Sequence, residues 1–463
     1  MKKFMALASI LIASLVLTSP VLASQEYRGA NNNSQSAGLV LPTVKRDSLL
    51  NGLQLVVLEQ RGTGTVSVRL RINSGAMFDL TEKGGLADLT AGMLLKGGSG
   101  YDAKAVVAAV EQLGLTVNVT VGWDSTDLAV SGPSQALDAI FELLGRLVIT
   151  PTFDQKEFDA LKAERVAALK TDSANTEGAL KRKAVEAVFG THPFGRPARG
   201  TPESLAKIIR ADLAFYHKRY YLANNSVLIV TGDAMPEEVT RLARSRLGSW
   251  KKGEKVAATF RAPEPQTARK VLILDSQDAQ VSQATIGQIG VSRRATDFYA
   301  ALILGDVLNQ AGATLVNAEA GAGVRAELDG RYLAGPLFFN IKSPQSGMAP
   351  AIESTLAMMS RLQTGPPPIE QVESAKNRLI TSFTERLRTT EGAADVILDI
   401  ELYGLGRDYM INFADRIRAV TPADVHQAAK TYLKPQAVAI VVHGSASQLE
   451  DALKKIGPVT VMR

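Results

Sequence analysis

The chain has 463 residues, 46% of them hydrophobic and 21% charged, and 52 Lys and Arg against 46 Asp and Glu give a net charge of +6. This balance belongs to a folded chain long enough for two or more domains, not to a disordered one. The absence of cysteine excludes disulfide scaffolds, thiolate zinc fingers, iron–sulfur clusters and thiol nucleophiles, and only four histidines (His192, His217, His426 and His443) are present for any other metal site.

At the N-terminus, Met1-Lys2-Lys3 supplies positive charge, Phe4 to Leu17 is almost wholly apolar, and Val21-Leu22-Ala23 precedes Ser24. This pattern predicts a secretory signal peptide over 1–23, cleaved after Ala23. A transmembrane anchor needs about 18 or more apolar residues, and no later stretch reaches that length. The expectation is a periplasmic or secreted protein with no membrane span after cleavage. Residues 24–45, whose first part is rich in Asn, Ser, Gln and Gly, read as a flexible leader.

Next in order, Leu53 to Leu58 and Val66 to Ile72 alternate like paired strands with one buried face. Ala211-Asp212-Leu213 opens a helical stretch to Tyr220, followed by the strand Ser226 to Val230 and Gly232. Lys251 to Lys270, with Pro263 and Pro265, reads as a linker. Beyond it, Val271 to Leu274 and Gln283 to Ile286 fill the slots of the first two strands. Ala423-Asp424-Val425 then opens a helix to Tyr432, followed by the strand Ala437 to Val442 and Gly444. Ala211 to Ala423, Tyr220 to Tyr432 and Gly232 to Gly444 are each separated by 212 positions (423 − 211, 432 − 220, 444 − 232). This internal repeat predicts an α+β fold of two similar halves, each an antiparallel sheet with helices packed on one face. The expected domains are 46–250 and 271–463, joined by 251–270.

Several segments resemble the insulinase/pitrilysin family of zinc peptidases, the inverzincins, which includes the mitochondrial processing peptidases. They are Ser74-Gly75-Ala76-Met77-Phe78-Asp79 with Gly84-Gly85-Leu86-Ala87; Lys96-Gly97-Gly98; Leu115 to Thr120 with Asp124-Ser125-Thr126; Pro151-Thr152-Phe153; His192 to Arg196 with Gly200 to Ser204; and Phe215 to Asp233. The resemblance spans essentially the whole mature chain and implies the family's two-half architecture.

In that family H-x-x-E-H places two histidines on one helix face to share zinc, with a Glu that activates the metal-bound water. The corresponding positions here read Asp88-Leu89-Thr90-Ala91-Gly92. The third ligand, a Glu on a later helix that begins its signature at Glu164-Arg165, falls on Thr171, or on Ala168 or Lys170 with a small change of register. One carboxylate is far short of the three protein ligands a catalytic zinc needs, and Ala91 cannot take a proton. No cofactor is therefore expected and no catalytic residue is assigned. Asp88 is expected to cap or pair locally, with Lys96, and each histidine reads as structural or surface.

Non-catalytic partners in bacterial two-subunit members keep an Arg and a Tyr in an R-E-x-x-G-L-x-Y setting. Here Leu315 to Glu327 matches only through Gly323-Val324, and Arg331-Tyr332 lies further along. The resemblance thus implies an exported, non-catalytic homologue acting as the structural or regulatory subunit, in a heterodimer, of a family member with an intact H-x-x-E-H. An alternative is a stand-alone peptide-binding or scaffold protein, with Asn118, Val119 and Thr120 on the edge strand to which extended peptides add. A third is an active metalloendopeptidase with an unrecognised site. Nucleic-acid binding has no motif behind it, since basic residues are scattered and aromatics make up 6%.

Overall fold

A computed structural model describes residues 43–462 except 174, 256–259, 278–280 and 316–322. The expected signal peptide, the leader up to residue 42 and most of the Leu315–Ala322 stretch lie outside the described residues. Val44 and Lys45, placed at the end of that leader, instead begin the first strand.

The first part of the chain opens with strands β1 (Val44–Ser48), β2 (Gln54–Glu59) and β3 (Thr65–Ile72), then helix α1 (Leu86–Leu94) and the ribbon β4 (Gly97–Gly98) and β5 (Tyr101–Asp102). Helix α2 (Ala103–Gln112) leads into the hairpin of β6 (Thr116–Val121) and β7 (Thr126–Pro133). Helices α3 (Leu137–Ile149), α4 (Gln155–Ser173), α5 (Thr176–Phe189), α6 (Pro202–Ala206) and α7 (Arg210–Tyr220) precede β8 (Ser226–Gly232) and α8 (Pro236–Leu247). The second part begins with β9 (Lys270–Asp275), β10 (Val281–Ile289), α9 (Phe298–Thr314), β11 (Gly323–Leu328) and β12 (Pro336–Pro344). Helices α10 (Gln345–Thr364), α11 (Ile369–Arg388), α12 (Thr390–Tyr403), α13 (Tyr409–Ala419) and α14 (Pro422–Tyr432) follow, then β13 (Ala439–Gly444), α15 (Ala446–Lys454) and β14 (Val459–Met462).

The strands form two six-stranded sheets of equivalent order, β1-β2-β8-β3-β7-β6 and β14-β9-β13-β10-β12-β11. The strands that sequence alternation paired, β2 with β3 and β9 with β10, are each separated by the half's closing strand. β8 runs parallel to β2 and antiparallel to β3, and β13 runs parallel to β9 and antiparallel to β10. The helical crossover that returns the chain to the sheet permits the parallel pairing. The glycines that end the two closing strands have no room for a side chain. A Cβ on Gly232, where φ is +106°, would lie 2.3 Å from the Thr65 carbonyl oxygen, and one on Gly444 would lie 2.5 Å from Ser282 Oγ.

β2 also departs from the one-faced pattern. Leu55 and Val57 enter the first core, while Val56 and Leu58 enter the second with Val227 and Ile229 of β8. Successive residues of a strand point to opposite faces, so both faces of these central strands are covered. The first part's α1, α3, α7 and α8 occupy one face and α12 of the second part packs on β8. In return α5 packs on β10 and β13. Charges reinforce the α12 contact: Arg69 pairs with Asp395, and Arg71, bonded twice to Asp127 at 2.6 and 2.9 Å, also reaches Asp399 at 3.2 Å.

Candidate functional site

Helix α1 carries the three degenerate motif positions and is almost wholly buried. Leu86, Ala87, Leu89, Thr90, Ala91, Gly92, Met93 and Leu94 have no appreciable exposure, and Asp88 alone is half-buried. Its start is fixed by Asp79, whose two carboxylate oxygens accept the backbone N–H groups of Gly85 at 2.7 Å and Ala87 at 2.8 Å. Burial pushes the Asp79 carboxyl up to about 7, against the opposing pull of those N–H groups and of Arg196.

Asp88 and Gly92 lie one turn apart and share a face, as the spacing requires. That face is filled from α4. Arg165 Nε donates to Asp88 Oδ2 at 3.0 Å, so the expected partner Lys96 is replaced by a residue 77 positions away. A Cβ added at Gly92 would meet Leu161 Cδ2 at 3.0 Å and Arg165 Nη2 at 3.4 Å, so a side chain there would press on the ends of two side chains of α4. Ala91 is fully buried and offers only a methyl group. Thr171 stands roughly 9 Å of helix rise beyond Arg165, exposed, its hydroxyl donating to the Ala167 carbonyl at 3.2 Å. Ala168 is half-buried and Lys170 exposed.

The family's zinc therefore does not fit these residues. Its face holds one carboxylate, already paired with a guanidinium, beside an alanine, a glycine and a leucine. No group of three or more His, Asp or Glu side chains among the described residues is placed to hold a metal ion. Three of the four histidines are engaged elsewhere, and the Nδ1 of the fourth, His443, is buried with no hydrogen-bond partner among the described residues. His192 accepts the Phe194 N–H through Nδ1 at 3.1 Å, and its Nε2 lies 3.0 Å from the Arg261 carbonyl. His217 Nε2 lies 2.7 Å from the Val148 carbonyl while its ring stacks on Tyr221. His426 Nε2 lies 3.0 Å from the Gln363 carbonyl, and His443 sits in β13.

Among the described residues, strand β6 is the outermost strand of the first sheet and pairs only with β7, Asn118 opposite Ala129, Val119 opposite Leu128 and Thr120 opposite Asp127. Asn118 and Thr120 are exposed and Val119 half-buried. Helix α1 packs against β6. The hairpin beyond it is tied to the approach to α1, since the carbonyls of Gly122 and Trp123 accept the Ala76 and Met77 N–H groups.

The same hairpin meets the second half. Asp124 Oδ2 accepts the Tyr332 N–H at 2.9 Å and the Tyr403 hydroxyl at 3.2 Å. Burial raises the Asp124 carboxyl above its usual range. The Arg331 guanidinium carbon lies 4.7 Å from the ring centroids of both Trp123 and Phe194. Sequence register set Arg331-Tyr332 apart from the Arg–Tyr motif, yet folding brings both against the hairpin. Arg165, Leu161 and Asp124 were invisible as a set because their partners come from distant segments.

A duplicated α+β fold with an edge strand beside the buried helix that carries these positions is the architecture implied by the resemblance to the zinc peptidases. Two family profiles agree: "Insulinase (Peptidase family M16)" matches residues 55–201 and "Peptidase M16 inactive domain" matches residues 207–379. The chain belongs to the insulinase family, peptidase family M16. It is 24% identical over 263 residues to an uncharacterized zinc protease of Mycobacterium leprae, covering 56% of this chain and 59% of that protein. It is 22% identical over 281 residues to a non-peptidase homolog of Helicobacter pylori, covering 61% of this chain and 60% of that one. Both matches thus span less than two thirds of the relative's own length. Among solved structures, a peptidase M16 inactive domain from Pseudomonas fluorescens superposes with a TM-score of 0.77 at 20% identity, covering 87% of this chain and 98% of that one.

Proposed function

We propose that this chain is an exported, non-catalytic member of the M16 family that serves as the structural or regulatory subunit of a complex with a catalytic member bearing an intact H-x-x-E-H. The observation that carries this reading is the Asp88–Arg165 ion pair, with Leu161 beside it, filling the face on which a zinc site would stand. Ala91, fully buried, offers no general base, and one paired carboxylate falls short of the three ligands a catalytic zinc needs, which supports the non-catalytic reading.

Co-expression with a family member from the same source that bears an intact H-x-x-E-H, followed by purification, native mass measurement and metal analysis, tests the proposal. The expected result is a heterodimer in which this subunit carries no zinc and cleaves nothing alone, with a mature N-terminus at Ser24. A stable monomer that neither binds nor alters such a partner would defeat the subunit role. Stoichiometric zinc with peptide cleavage by the isolated chain, both lost on chelation, would defeat the non-catalytic reading.

A second reading is favoured by the free edge of β6. Strand addition uses backbone hydrogen bonds and needs no metal, so capture of extended peptides survives the loss of catalysis. The absence of binding by unstructured peptides would remove it.

A further inference from the structure

Between the two sheets' halves, at the hairpin end of β6, lies a cavity of about 480 Å³. Trp123, Leu169 and Val185 of the first half and Phe338 of the second give it an apolar lining. Four cations, Lys181, Arg182, Arg199 and Arg331, also line it, against two acids, Glu327 and Asp329. Both acids are committed: Glu327 pairs with Lys181 at 3.2 Å and Asp329 with Arg331 at 2.7 Å. Arg182, half-buried on α5, has no hydrogen-bond or ion-pair partner among the described residues. Arg331 is 6% exposed, and its Nη1 likewise lacks an acceptor.

A half-buried guanidinium without a counter-charge lacks the interaction that usually offsets its desolvation. Here it stands beside an aromatic surface, in a recess of the size that holds a small ligand or a few residues of a peptide. Guanidinium groups bind carboxylates through paired N–H donors, and such charge-assisted bonds are about twice as strong as neutral ones. The uncompensated charge of Arg182 repels basic groups from the same recess.

We infer that this cavity receives a carboxylate-bearing, apolar segment of a peptide captured along β6, so that the chain selects anionic peptides over neutral and basic ones. The apolar side chain lies against Trp123 and Phe338 and the carboxylate pairs with Arg182. The inference rests on the peptide-capture reading of β6 and adds to it the chemistry of the peptide. The carboxylate comes from an acidic side chain or from a C-terminus, and the two sources are separable by experiment.

Tryptophan fluorescence reads the site, because the chain has two tryptophans and the other, Trp250, is buried with its indole N–H bonded to the Tyr221 carbonyl at 2.9 Å. The probe is a short unstructured Ser/Gly/Val peptide carrying one Phe, titrated into the full mature chain in four forms. One has Asp after the Phe and a blocked end, one has Asn and a free C-terminal carboxylate, one has Asn and a blocked end, and one has Lys and a blocked end. At least one carboxylate form is expected to bind about tenfold or more tighter than the neutral form, with a change in Trp emission and a preference that weakens as salt is raised. Arg182→Gln should abolish that preference and Arg182→Lys should restore part of it, with thermal unfolding monitored to confirm that both variants fold. Which carboxylate form gains identifies the source. Equal binding of all four forms, tightest binding of the Lys form, or a preference unchanged in Arg182→Gln would overturn the inference and leave capture along β6 standing. No binding by any form would overturn both.

Discussion

Arg165 on α4 meets Asp88 on α1 at 3.0 Å, directly beside the backbone of Gly92. A guanidinium thus supplies the positive charge beside Asp88, and the anion left on α1 is neutralised from within the chain. The replacement is steric as well as electrostatic, since a side chain at Gly92 would press on Leu161.

Restoring the motif letters alone should fail for that reason. The triple variant Asp88→His, Ala91→Glu, Gly92→His is expected to be less stable by about 1–3 kcal/mol, from overpacking against Leu161 and a new acid in a buried position. It should also hold no zinc after dialysis, because Arg165 remains and Thr171 supplies no third ligand. Metal analysis and urea unfolding check both points. One zinc per chain in the triple variant would show that the face is open after all.

The contact of α12 with the first sheet depends on Arg71, which serves two carboxylates and is 8% exposed. Arg71→Ala leaves Asp127 and Asp399 facing each other with partial access to solvent. The expected cost is about 2–3 kcal/mol, below that of a fully buried pair because both acids keep some hydration. Denaturant unfolding measures it, and a loss under 0.5 kcal/mol would mean the charge ladder adds little to the apolar contact.

Asp79 should give stability a pH dependence of definite sign. Burial raises its carboxyl from 3.8 to about 7 in the folded protein, so folding takes up a proton between those values. The group's contribution is complete below the unfolded value and is lost as pH rises through about 7. Relative to Asp79→Asn, the native chain should lose up to about 1.4 kcal/mol per pH unit across that window. The burial-raised Asp124 acts with the same sign and is present in both proteins. Parallel stability profiles for the two would remove the assignment to Asp79.

Peptide capture along β6 predicts a spectroscopic signature. A carbonyl-labelled unstructured peptide should acquire the infrared band of a β-strand on binding, since strand addition imposes the ladder geometry on its backbone. Binding that leaves the label in its unordered position would point to another mode of attachment.

The repeat was legible because its marks are local: a tyrosine at a helix end and, at a strand end, a glycine that has no room for a side chain in either half. The edge position of β6 was legible through the family resemblance, and the missing zinc ligands could be read directly from Asp88, Ala91 and Gly92. Pairing order was not. The alternation in Leu53–Leu58 and Val66–Ile72 reports which residues are buried but not which strand lies between them, and β8 arrives from more than 150 residues away. The partner of Asp88 escaped for a similar reason. Lys96 is close in sequence, whereas Arg165 is close only after α4 has packed on α1. Arg331 and Tyr332 reach the hairpin through a loop whose course no periodicity encodes.

The trade of α5 for α12 bears on how such a chain could ever be divided. Leu180, Ala184 and Val188 of α5 share a core with Ala439 and Val441, while Ala393, Val396 and Ile397 of α12 share one with Val56 and Ile229. Neither copy of the repeat owns a finished interior. A break between them would yield two pieces that must find each other before either is complete, so the peptide link through 251–269 acts as a tether that raises the local concentration of obligate mates.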